Sequence, residues 1–128
     1  NQLFEGTIAE NVALGRRIPE ADVFAAIQLL GLQDFLAAQP KGIHSVIDPE
    51  GKRLPRSIVQ RLLIARAIVH RPRLLLMEDP LQYMSEQEKK NLIDYIMHPD
   101  RAWTVIIVTE YAYWTQKSTQ TIQLDGHA

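Results

Sequence analysis

The stretch QRLLIARAIVHRPRLLLMEDP, residues 60–80, decides how this chain is read. It has the pattern of an amphipathic helix, a proline-containing turn, and an unbroken apolar run that ends on two adjacent carboxylates, Glu78 and Asp79, and a proline. The run Leu74-Leu75-Leu76-Met77 predicts a strand buried on both faces, as in a parallel sheet covered by helices. Open α/β sheets bind ligands beyond the C-terminal ends of their strands, which makes Glu78 and Asp79 the first candidates for a site.

Working outward, the helix through residues 57–69 carries Ile58, Leu62, Ala65 and Val69 along one stripe. Upstream, Thr7-Ile8-Ala9-Glu10 fits a capping box that opens a short helix, with Gly15 as its end. Pro19 starts a second helix with Val23, Ile27 and Leu30 on one face and Gly31 as its stop. A third covers residues 33–38. Residues 41–54 read as a loop with room for a short extended piece, and Pro49-Glu50-Gly51 is a turn signal. Downstream, Ser85-Glu86-Gln87-Glu88 is a second capping box, opening a helix whose apolar face is Leu92, Tyr95 and Ile96. Residues 104–109, TVIIVT, predict another buried strand. Residues 111–115 are compatible with a short helix, and residues 120–124 alternate like an edge strand, with Asp125-Gly126 as its turn. The fold class expected is α/β, a helical subdomain (residues 1–70) joined to part of a sheet core (residues 71–128).

An apolar fraction of 46% in 128 residues supports one modest core, hence one domain or a part of one. A formal net charge of −1 gives no overall electrostatic case for nucleic acid or an acidic membrane surface. With no cysteine, neither a disulfide frame nor a thiolate metal site is possible. No apolar run approaches the roughly 20 residues of a transmembrane helix, and no signal-peptide pattern opens the chain. Opening on Asn1 and ending abruptly at Ala128, the chain reads as a piece of a longer protein.

The order of segments resembles the second half of the nucleotide-binding domain of exporter-type ATP-binding-cassette (ABC) transporters. LFEGTIAENVALG (residues 3–15) is similar to the segment after that family's glutamine loop, which faces the transmembrane domain, and PKGIHSVIDPEGKRL (40–54) to the loop before its signature motif. QRLLIARAIV (60–69) resembles the signature helix, RPRLLLMEDP (71–80) the Walker B strand and TVIIVTE (104–110) the switch strand. Five collinear pieces at the family's spacings carry the resemblance. It implies a P-loop NTPase-type core, ATP and Mg²⁺ as cofactors, a transmembrane transport partner, a second nucleotide-binding domain, and a place at the cytoplasmic face of a membrane. The phosphate loop G-x-x-x-x-G-K-[ST] is absent from this chain and, by resemblance, belongs upstream of it. Gln2 lies too close to Leu3-Phe4 to be the family's glutamine.

The positions that carry the family's chemistry depart from its pattern. Where the signature reads Leu-Ser-Gly-Gly-Gln, this chain has Leu54, Pro55, Arg56, Ser57 and Ile58. Glycines there let backbone amides approach the terminal phosphate of ATP held by the other subunit. Pro55 has no amide, and Arg56 and Ser57 put side chains in the phosphate's place. A helix start that has lost this function is the favoured reading; the other has Arg56 holding a phosphate directly. Walker B ends Asp-Glu in the family and Glu78-Asp79 here. By resemblance Glu78 serves Mg²⁺ and Asp79 the attacking water, unless the two merely end a strand. Asp79 is shorter than glutamate by one carbon–carbon bond, and a misplacement of about 1 Å can cost on the order of 10²-fold in rate. Glu110 replaces the switch histidine; its carboxylate would repel phosphate, or it is a solvated residue opening the next turn, the reading favoured here. Ser85 takes the position of the D-loop aspartate, keeping the helix cap but losing an intersubunit carboxylate contact.

His44, His70, His98 and His127 show no metal-ligand spacing, and no nucleophile elbow is present. The basic stretch Lys52, Arg53, Arg56, Arg61, Arg66, Arg71 and Arg73 has no interleaved aromatic platform for nucleic acid; Arg61 and Arg66 fit the family's helix pattern, and the rest read as a solvated face. Three expectations follow. The first is a degenerate cassette fragment that couples nucleotide binding to a transmembrane partner with little or no hydrolysis, impaired both in its own site and in its partner's. The second is a working transport ATPase with atypical residues. The third is a non-catalytic interaction module that reuses the fold. Which of them holds, and so whether the chain is an enzyme, stays open at this stage.

Overall fold

The computed structural model describes residues 2–50, 54–79, 81–82 and 84–124. Strand β1 (Gly6–Thr7) leads into helix α1 (Ile8–Ala13), and helices α2 (Glu20–Leu29) and α3 (Gln33–Ala37) follow. A single 3₁₀ turn (Gly42–His44) and strand β2 (Val46–Ile47) come next; β2 pairs antiparallel with β1, Gly6 beside Ile47. Helix α4 (Arg56–Val69), strand β3 (Leu74–Glu78), helix α5 (Glu86–Ile96), strand β4 (Thr104–Val108) and helix α6 (Ala112–Lys117) complete the order.

The local signals act as their chemistry requires. Thr7 accepts the Glu10 amide at 2.9 Å while the Glu10 carboxylate accepts the Thr7 amide at 2.8 Å, a reciprocal cap for α1. Ser85 and Glu88 repeat the device on α5, at 3.1 and 2.9 Å. Leu14, in the left-handed conformation, closes α1 one residue before Gly15. Pro19 stands at the cap of α2 rather than inside it. The chain leaves α2 through Gly31 at φ +70°, where the amide of Leu32 returns to the Ile27 carbonyl at 3.1 Å.

One apolar core runs from α1 to α6, with Ile8, Ile27, Leu30, Leu62, Leu92 and Trp114 among its most buried members. Helix α4 buries Leu62, Ala65 and Ile68, with Ile58 and Val69 half-buried at the edge of the stripe. Asn11, Ser45 and Arg61 are the buried polar residues among those described. Asn11, 1% exposed, accepts the Phe4 amide at 2.8 Å and donates to the carbonyls of Phe4 and Thr7 at 2.9 and 3.0 Å. All its hydrogen-bonding capacity on the amide nitrogen is used to pin the segment before α1. Arg61 donates from Nη2 to the Gln82 carbonyl at 2.8 Å and lies 3.5 Å from the Gly31 carbonyl. It therefore joins α4 to the turn after α2 and to the segment after β3. Arg66 donates to the Asn11 carbonyl at 2.8 Å, and partial burial lowers its pKa from the ordinary value.

Strands β3 and β4 pair in parallel, Leu74 beside Thr104 through Glu78 beside Val108, with α5 as the crossover between them. The expectation of burial on both faces fails. Leu75 is buried and Met77 half-buried, whereas Leu76 is 67% exposed and Ile106 53% exposed. Helices cover one face of this two-stranded pair, so alternate residues of each strand face outward. Residues 120–124 form no strand, which corrects the second expectation; among the described residues nothing pairs with them, and an isolated strand gains no ladder. Pro49 and Glu50 stand in the expected turn, with the Glu50 amide donating to Asp48 Oδ1 at 3.1 Å, while Gly51 and the turn expected at Asp125-Gly126 lie outside the described residues.

A methyl group on Gly31 would meet the Glu88 carboxylate, which the α5 capping box already holds. Gly31→Ala is therefore expected to lower stability by about 1–3 kcal/mol, combining a left-handed backbone with this close approach. Urea unfolding of the variant checks it; an unchanged midpoint would contradict the packing of α2 on α5.

Candidate functional site at the ends of the parallel strands

Period-two alternation distributes the carboxylates. Along β3 the helix-covered parity is Leu75 and Met77, and Asp79 continues it; Leu74, Leu76 and Glu78 hold the open parity. In β4, Val105 and Ile107 share the covered parity and Ile106 and Val108 the open one, and just beyond it Thr109 continues the first and Glu110 the second. The register that sets Glu78 beside Val108 therefore makes Asp79 and Thr109 the next neighbours, and the Asp79 amide donates to the Val108 carbonyl at 3.0 Å. Beyond these ends lies an open cleft of about 630 Å³, lined by Glu78, Asp79, Gln82, Lys89, Glu110 and Tyr111 among others.

Asp79 is the most constrained of the three acids. The Thr109 hydroxyl donates to its Oδ2, and the Leu81 amide donates to its Oδ1 at 3.1 Å. Thr109 Oγ1 accepts the Tyr111 amide at 2.9 Å. The Tyr111 phenol in turn donates to Glu86 Oε2 at 2.6 Å, in the first turn of α5. Lys89 sits 3.2 Å from the same carboxylate and 5.1 Å from the Tyr111 ring centroid. The bond to Glu86 is the main reason that the Tyr111 pKa is pushed up to about 12, and the bond to Tyr111, then Lys89, holds Glu86 below the usual carboxylate value. Glu78 and Glu110 are exposed.

The other expected site residues lie elsewhere. Leu54, Pro55, Arg56, Ser57 and Ile58 form the entry to α4: Pro55 is its cap, without a side-chain hydrogen bond, and its carbonyl accepts the amides of Ile58 and Val59 at 3.0 and 3.1 Å. Arg56 is exposed. None of these five lines the cleft, and neither does Ser85, which caps α5. Sequence reasoning did not single out Thr109, Tyr111, Glu86 or Lys89. The parity of β4 relative to β3 was a usable signal for Thr109. Nothing local pointed to Tyr111 with Glu86, which are 25 residues apart and meet only once α5 and α6 pack together.

The donor chemistry suits Mg²⁺ in part. Magnesium takes one or two protein carboxylates and completes its shell with water and phosphate oxygens, and an exposed Glu78 fits that role. Among the described residues no group of three His, Asp or Glu could hold a metal ion on protein ligands alone. Phosphate groups fare less well here, because the lysine lining the cleft, Lys89, is already engaged by Glu86 and Tyr111.

No protein-family model matches this chain. It is 29% identical, over 98% of its length, to the ABC multidrug transporter MDR2 of Trichophyton rubrum, and 33% identical over 84% of its length to the same transporter of Trichophyton tonsurans. To the antigen peptide transporter 2 of Mus musculus it is 31% identical over 95% of its length. Among solved structures it superimposes on a bacterial Atm1-family ABC exporter with ATP bound, with a TM-score of 0.69 and 26% identity over 88% of this chain. The chain is thus a distant homologue, along essentially its whole length, of ABC transporters, and its mixed α/β fold matches part of an ABC exporter. It spans about 10% of the Trichophyton rubrum protein and 20% of the exporter chain. No helix among the described residues is long and apolar enough to cross a membrane.

The Tyr111–Glu86 bond gives a titration test. The folded chain keeps the phenol proton above the pH at which an unfolded tyrosine loses it. This contribution to stability is therefore complete below about pH 10 and lost as pH rises towards about 12. Tyrosinate absorbance should show a phenol ionising near pH 12 that moves down towards about 10 in Glu86→Gln. A Tyr111 titration unchanged by that substitution would rule out the contact.

Proposed function

We propose that this chain is the second half of a nucleotide-binding domain of an exporter-type ABC transporter, of degenerate type. It couples nucleotide binding to a transmembrane partner with little or no ATP hydrolysis of its own. In this reading residues 1–70 are the helical subdomain, ending in the signature-type helix, and residues 71–128 the Walker B to switch portion. The full protein works at the cytoplasmic face of a membrane with a second nucleotide-binding domain. Glu78 would hold Mg²⁺ on the open side of the strand ends. Leu54 to Ile58 and Ser85 would face the partner's nucleotide with an impaired signature.

The observation that carries the proposal is the bonding of Asp79. The residue at the position of the attacking water's acid has a donor on each oxygen, and at the switch position Glu110 adds a further carboxylate to the lining of the cleft. Neither arrangement favours an in-line attack on phosphate.

The test is Mg-ATP binding and steady-state hydrolysis by the full-length protein. Binding with turnover about 100-fold below that of an exporter whose Walker B ends Asp-Glu is the expected result. Turnover at the level of such an exporter, and lost in Asp79→Ala, would make this a working ATPase. No binding would leave the interaction module.

A further inference from the structure

We propose that Thr109 is a positioning residue: its hydroxyl commits Asp79 to bracing the ends of the two parallel strands and so fixes the orientation in which that carboxylate meets the cleft. The inference rests on the nucleotide-site reading for its effect on turnover, but not for the brace itself.

Three observations carry it. The register, which ends at Glu78 beside Val108, and the strand parity make Asp79 and Thr109 neighbours on the less exposed parity, with Glu78 and Glu110 on the open one, all four at the cleft. Thr109 Oγ1 accepts the Tyr111 amide at 2.9 Å, and because a carboxylate oxygen can only accept, the single hydroxyl hydrogen goes to Asp79 Oδ2. Asp79 Oδ1 receives the Leu81 amide at 3.1 Å, so turning the carboxylate towards a water in the cleft would cost a bond at each oxygen. The brace does not end at Thr109. Tyr111 is held by its phenol to Glu86, and Glu86 by Lys89, which anchors the β4 end in the first turn of α5.

A threonine whose hydroxyl only filled space would be replaceable by valine without consequence. As a positioning residue it is not. In the full-length protein Thr109→Val keeps the shape and removes the donor, and Thr109→Ser keeps the donor; Thr109→Ala replaces valine if the branched methyl perturbs the covered face. Without nucleotide, hydrogen exchange of peptides covering residues 79–82 and 109–112 should quicken by roughly fivefold or more in Thr109→Val, the equilibrium equivalent of one hydrogen bond. The serine variant should match wild type. With Mg-ATP, turnover should rise by roughly three- to tenfold in Thr109→Val and not in Thr109→Ser.

Unchanged exchange in Thr109→Val would overturn the brace whatever the nucleotide does. Faster exchange with turnover unchanged or lowered would overturn the restraint on turnover, because Asp79 would then be free to turn and still idle, or Thr109 would serve the chemistry. If wild type binds no Mg-ATP, the nucleotide reading fails separately, and faster exchange in Thr109→Val would still support the brace.

Discussion

The parallel register of β3 with β4 is the constraint on which the rest depends. Setting Glu78 beside Val108 fixes which side chains of the two strand ends share a face, because side chains alternate with period two. A slip of one residue would exchange Leu75 for Leu76 in the core and carry Glu78, rather than Asp79, to the Thr109 side. The helix-covered face therefore protects the register and the register distributes the acids. The cleft has its chemistry because its floor is packed.

That packing is secured from the helical side. Helix α4 lies against α1 and α2 and sends Arg61 through the interior to the Gln82 carbonyl and towards that of Gly31. A guanidinium 6% exposed is costly to desolvate, and its retention here depends on carbonyls that the backbone would otherwise leave unmet. Its Nε has no partner among the described residues. Arg66, through the Gln2 carbonyl, and Asn11, through Phe4, do the same for the segment before α1. Polar ties of this kind join pieces of chain that apolar contact alone would leave free to slide.

Much of this was legible in the sequence where the signal was local. Both capping boxes, the stop at Gly31, and the strand–helix–strand order follow from a few neighbouring residues each, and the helix predicted through residues 57–69 begins one residue earlier. The strands' burial was misread, because an apolar run such as Leu74-Leu75-Leu76-Met77 shows what a strand could bury and not how many layers are present to cover it. Residues 120–124 alternate as a strand should but have no neighbour to pair with among the described residues. At the site, Glu78, Asp79 and Glu110 were visible as acids at strand ends. The bonds that differentiate them were not, since Thr109 reaches Asp79 across 30 residues and Glu86 reaches Tyr111 across 25.

The account divides labour between adjacent carboxylates: Glu78, open, for a metal ion brought with a nucleotide, and Asp79, braced, for structure. Spectroscopic titration of Mn²⁺ into the full-length protein with ATP, comparing Glu78→Gln with Asp79→Asn, tests this most directly. The account predicts that Glu78→Gln weakens Mn²⁺ binding by about tenfold or more, on the order of one charge-assisted contact, and that Asp79→Asn weakens it far less. Loss of Mn²⁺ in Asp79→Asn with binding intact in Glu78→Gln would contradict it.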